Sequence, residues 1–69
     1  MLLAAKAKRL HLNIRQWKLA QMADLHPSDI SKFERGRIQL GHGQRKRLAA
    51  ALELPEFLLD QEVDFDESR

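Results

Sequence analysis

Residues 16–36 read Gln16-Trp17-Lys18-Leu19-Ala20-Gln21-Met22-Ala23-Asp24-Leu25-His26-Pro27-Ser28-Asp29-Ile30-Ser31-Lys32-Phe33-Glu34-Arg35-Gly36. Apolar residues recur first as Leu19, Ala20 and Ala23, then as Ile30 and Phe33, each set on one helical face. Between them Asp24-Leu25-His26 interrupts the pattern for three residues, which predicts two short helices joined by a tight turn. Ala20 is small where the two helices would cross, and Leu25 fills the turn. Pro27 suits a first helical turn, where its missing N–H leaves no bond unmade. Asp29 complements the positive end of the second helix's dipole. Gly36 stops that helix.

The same pattern extends outward. Upstream, Leu3, Ala7 and Leu10 share a helical face, predicting a first helix from Leu2 to His11. Asn13 is placed to cap the helix that follows, with Gln16 three residues later completing a capping-box-like pair. Downstream, residues 37–43 read as a loop containing Gly41 and Gly43. A fourth helix is expected from about Gly43 to Glu53, buried through Leu48, Ala49 and Leu52. Pro55 opens a short fifth helix with Phe57, Leu58 and Leu59. The expected architecture is all-α: one five-helix domain over residues 1–60, with 61–69 an acidic, disordered tail.

Composition limits the function classes. A chain of 69 residues is one small domain with a thin core. It has no Cys, and His11, His26 and His42 stand too far apart to read as a metal cluster. No cofactor is implied. There is no Gly-rich phosphate loop and no recognisable nucleophile–base arrangement, so the sequence does not read as an enzyme. No apolar run reaches membrane length, and the apolar start is too short for a signal peptide, so the expected location is cytoplasmic. Net charge is +2, but unevenly spread. Residues 1–52 carry eleven Lys or Arg against Asp24, Asp29 and Glu34, a net +8; residues 53–69 carry seven acids against Arg69, a net −6. Such a body suits a polyanion partner, or is simply a solvated surface.

The residues Gln16, Leu19, Ala20, Leu25, Ile30, Ser31, Lys32 and the Glu34-Arg35-Gly36 triplet together resemble the phage repressor/Cro (xenobiotic-response-element type) helix-turn-helix family. The resemblance spans roughly residues 3–59 and implies a compact lambda-repressor-like DNA-binding domain. It departs from the family at Asp24, where Gly is usual, at His26, where Ser or Thr usually caps the third helix, and at Arg15, where Thr is common. The implied function is sequence-specific double-stranded DNA binding by a transcriptional regulator, a repressor on a palindromic operator, in a prokaryotic or phage setting. The third helix would lie in the major groove. By position, Pro27, Ser28, Ser31 and Lys32 would face bases, with Lys32 suited to guanine O6 and N7. Gln16, Arg35 and Arg37 would meet phosphates. The resemblance also implies a structural ion pair between Arg9 and Glu34, and a two-fold homodimer through Phe57, with Leu58 nearby.

Other features carry their own readings. Gln44, Arg45, Lys46 and Arg47 open the fourth helix, where cations oppose the dipole. Phosphate contact explains that choice; a solvated basic face is the plainer account. With ~5–6 phosphates neutralised, affinity should fall steeply with salt. Trp17 stands where the family pattern is usually polar. It is read as local packing, as a contact to a sugar–phosphate edge, or as a protein-partner anchor. The acidic tail is read as a solubilising terminus, as a contact for a protein such as a toxin, or as a competitor for the basic surface. The opposing functional class is therefore an antitoxin-like protein-interaction module of the same fold.

Overall fold

The computed structural model describes residues 2–64. In chain order these form strand β1 (Leu2–Leu3), helices α1 (Ala4–His11), α2 (Gln16–Ala23), α3 (Pro27–Glu34) and α4 (His42–Leu52), one 3-10 turn at Glu56–Leu58, and strand β2 (Glu62–Val63). The protein is mostly helical, with four α-helices among the described residues rather than the five expected. The segment after Pro55 makes the difference. Its bonds run from Leu58 N–H to the Pro55 carbonyl and from Leu59 N–H to the Glu56 carbonyl, the tighter three-residue closure. That turn delivers Leu59 into the core, fully buried, and leaves Phe57 outside.

The chain ends correct two further expectations. Helix α1 begins at Ala4 rather than Leu2, because Leu2 and Leu3 pair antiparallel with Val63 and Glu62. The first N–H groups of a helix have no partner within it, and α1 has no side-chain cap. Here Ala4 N–H donates to the Gln61 carbonyl at 2.7 Å and Ala5 N–H to the Leu59 carbonyl at 3.1 Å. Residues 61–63 thus close the fold instead of beginning a disordered tail. The part of the tail expectation that concerns residues 65–69 lies outside the described residues.

All four helices end in the same way, with one residue in the left-handed region: Asn13 (φ 60°), Asp24 (φ 55°), Gly36 (φ 73°) and Glu53 (φ 58°). Each time, that residue's N–H and the next one's turn back onto helix carbonyls. Asn13 bonds to Leu10 and Ile14 to Arg9; Asp24 to Gln21 and Leu25 to Ala20; Gly36 to Phe33 and Arg37 to Lys32; Glu53 to Ala50 and Leu54 to Ala49. This arrangement satisfies carbonyls that a helix end otherwise leaves open. In three of the four, the following residue is apolar (Ile14, Leu25, Leu54) and packs against the core. Asn13 therefore closes α1 and does not cap α2, whose start at Gln16 has no side-chain cap.

The core takes Ala5 from α1, Leu19, Ala20 and Ala23 from α2, Ile30 and Phe33 from α3, Leu48, Ala49 and Leu52 from α4, and Leu40 and Leu59 from the connections. The stripes expected for α2, α3 and α4 are the buried ones. Because α2 packs on both α3 and α4, Ala20 and Ala23 keep its inner face narrow enough for two neighbours. Among the described residues, no helix is long and apolar enough to cross a membrane.

Candidate functional site

The densest set of side-chain hydrogen bonds among the described residues lies where α1, α2 and α3 meet. Arg9 Nε donates to Glu34 Oε2 at 2.6 Å, and a terminal guanidinium nitrogen donates to Oε1 at 3.0 Å, a bidentate pair. The side chains are 9% and 2% exposed. Arg9 also donates to the Ile14 carbonyl at 2.9 Å. Gln16 Nε2 donates to Glu34 Oε1 at 2.9 Å. One carboxylate at the last turn of α3 thus binds α1, the first residue of α2 and, through Arg9, the link between them. No buried side-chain polar atom among the described residues lacks a partner.

That junction orients α3. Ile30 and Phe33 face inward. Pro27, Ser28, Ser31 and Lys32 share the other side, three or four residues apart. Pro27, Ser28 and Lys32 are exposed and Ser31 is half-buried. Asp29 lies in the first turn of α3, at the positive end of its dipole. Past the helix, Arg35 and Arg37 are exposed on either side of Gly36. Lys32, Arg35 and Arg37 make no ion pair with any described residue.

The α4 residues expected on phosphates behave differently. Gln44 Oε1 accepts the Gly41 N–H at 2.8 Å, capping its own helix. Arg45 donates to the Glu56 carbonyl at 2.8 Å and meets Asp60 at 3.4 Å. Arg47 Nε donates to the carbonyl of Ala23, the last residue of α2, at 2.9 Å. These cations have internal reasons to stand where they do. Arg45 is tied to the 3-10 turn and an acid beyond it. Arg47 sits at the negative end of α2's dipole, where a cation is favourable. Of this group only Lys46 is exposed without a partner among the described residues. Gln16 likewise already donates to Glu34.

Trp17 is 59% exposed and Phe57 66% exposed, so neither is core; Leu58 is half-buried. Trp17 lines a shallow open depression with Arg9, Arg15, Gln16 and Pro27. Local burial thus does not account for Trp17, and its two contact readings remain. Among the described residues, no three His, Cys, Asp or Glu side chains gather as a metal-binding group.

The sequence pattern missed the Gln16–Glu34 bond and the internal partners of Arg45 and Arg47. Only the Gly41-to-Gln44 spacing, a half capping box, was there to be read. No protein-family model matches the chain, and no curated protein matches it.

Proposed function

We propose that the chain is a sequence-specific binder of double-stranded DNA acting in transcriptional regulation, as a repressor at an operator, with α2 and α3 as a helix-turn-helix unit. The observation that carries this reading is the division of α3. Its inner face is locked by Ile30, Phe33 and the Glu34 network, while Pro27, Ser28, Ser31 and Lys32 line the outer face next to exposed Arg35 and Arg37. An eight-residue helix with small polar residues and a lysine on its open side suits the width and donor–acceptor pattern of the major groove. Ser28 and Ser31 exchange hydrogen bonds with several bases, and Lys32 favours guanine. Arg35, Arg37 and Lys46 supply the phosphate contacts. A two-fold dimer through exposed Phe57 would set two such helices ~34 Å apart on a palindromic site.

Selection of bound duplexes from a random pool tests this directly. The expected result is an enriched site with guanine at a fixed position, bound with a log K against log salt slope of about −3 or steeper, of which Arg35, Arg37 and Lys46 supply about −3. A pool that stays random, together with a flat salt response, refutes the reading. The exposed Trp17 and Phe57 favour a second one, an antitoxin-like protein-interaction module of the same fold. Partner capture that survives Lys32→Ala with Arg37→Ala is the sign of that alternative.

A further inference from the structure

Trp17 is the chain's one tryptophan. It occupies the second position of α2, yet the ring contributes nothing to the core and stands more than half exposed. Its surroundings are chemically one-sided. The depression it lines is bounded by Arg9, Arg15, Gln16 and Pro27, and no carboxylate among the described residues lines it. Arg9 is neutralised by Glu34. Arg15, and Lys18 one residue past the ring, are exposed cations with no ion pair among the described residues. The shelf is thus an aromatic face beside a polar amide and a proline, with uncompensated positive charge around it. A complementary partner needs an apolar edge and closely spaced negative charge together. The deoxyribose–phosphate edge of a DNA duplex has both: sugar carbons for the ring, and phosphates for Arg15, Lys18 and the indole N–H, a donor only.

Pro27 connects this shelf to the outer face of α3, because it belongs to both. We infer that Trp17, Arg15 and Pro27 form a strand-edge contact flanking the groove in which α3 is proposed to lie, holding one sugar–phosphate strand against the first turn of α2. This inference rests on the DNA-binding reading. The ring's contribution is non-ionic, so it adds affinity that salt does not remove, unlike the contacts of Lys32, Arg35 and Arg37.

The lone tryptophan makes the test site-specific. The full chain is titrated with a labelled mixed-sequence 20-base-pair duplex at low salt, where sequence-independent binding is expected. Anisotropy reads binding, and acrylamide quenching of the intrinsic emission reads access to Trp17. The expected result is binding, a fall of twofold or more in the quenching constant, and an affinity loss of about tenfold in Trp17→Ala with an unchanged salt slope. Trp17→Phe, which keeps an aromatic face, retains most of the affinity. Duplex binding with Trp17 as accessible as in the free protein, or with Trp17→Ala as tight as the parent, overturns the inference and leaves the DNA reading standing. Absence of duplex binding even at low salt overturns both. Should Trp17→Ala fail to fold, the quenching measurement on the unmodified chain still decides.

Discussion

Replacing Arg9 by Met removes three hydrogen bonds at once: two to Glu34 and one to the Ile14 carbonyl. The Glu34 side chain is 2% exposed, so water cannot take Arg9's place without opening the junction. One donor is left, the Gln16 amide at 2.9 Å. Breaking one side of a buried pair costs ~3–5 kcal/mol, because the remaining charge is stranded. A domain of this size has only ~3–10 kcal/mol of total stability. Arg9→Met should therefore remove most of it. With a urea slope of ~1 kcal/mol per M, the midpoint falls by about 3–5 M or the fold is lost in water. Helical circular dichroism is the suitable readout, since Trp17 is too exposed for its emission to report folding well. Glu34→Gln strands the Arg9 guanidinium in turn and sets an amide N–H against one of its donors, so a loss of similar size, ~3–5 kcal/mol, is expected. The double variant Arg9→Met with Glu34→Leu removes both charges and should recover most of the loss. The reasoning is refuted if Arg9→Met costs under ~1 kcal/mol, the range of a solvent-exposed pair. It is equally refuted if the double variant costs the sum of its singles.

Three further outcomes follow from the structure. Glu53 holds a left-handed conformation at the negative end of α4, so Glu53→Gly should relieve both backbone strain and charge, stabilising by ~1 kcal/mol and raising the melting midpoint by about 4–8 °C; an unchanged or lower midpoint counts against it. Arg37→Ala should reduce the duplex salt slope by about one with no change in melting, and Lys32→Ala should relax the preference for guanine, whereas Arg45→Ala should lower stability by ~1 kcal/mol through its lost bond to the Glu56 carbonyl and leave the slope nearly unchanged; a slope that falls in Arg45→Ala and not in Arg37→Ala would put Arg45 on phosphate. Phe57→Glu should shift the sedimentation mass from dimer to monomer and lower the melting midpoint only at concentrations where the parent is dimeric, because the ring is 66% exposed and has no part in the protomer's own core; a dimer that persists excludes this face.

How much of this was legible in the sequence differs from element to element. Helix α3 was readable at its start and close to its end because independent signals agree on it: Pro27 at its start, Ile30 and Phe33 at core spacing, and Gly36 two residues past its last one. The β1–β2 pair was not readable. Two residues carry no period, and Leu2-Leu3 continues the spacing of α1 until a distant segment claims its backbone. The same applies to the left-handed Glu53. Gly, Asn and Asp announce such positions by their chemistry, but Glu does not, and only the need to turn Leu54 back onto the core places it there.

The basic residues show how far pattern alone reaches. Cations at the start of α4 look anomalous against the helix dipole, and a phosphate explains them as long as no internal partner is known. Arg45 and Arg47 find theirs in the 3-10 turn, Asp60 and the α2 carboxy-terminus, contacts that local spacing cannot reveal. This relocates the charge asymmetry. From Ile38 to Asp64 three cations face five acids, a balance of −2, and Arg45 and Arg47 are engaged. Over residues 15–37 there are five cations, and of the three acids Glu34 is cancelled by Arg9, leaving +3. Lys6 and Lys8 of α1 add +2, so the field that a polyanion would meet belongs to α1, α2, α3 and the turn after them, and the start of α4 adds little to it. Residues 59–61 of the acidic end serve to complete α1 and to hold α4.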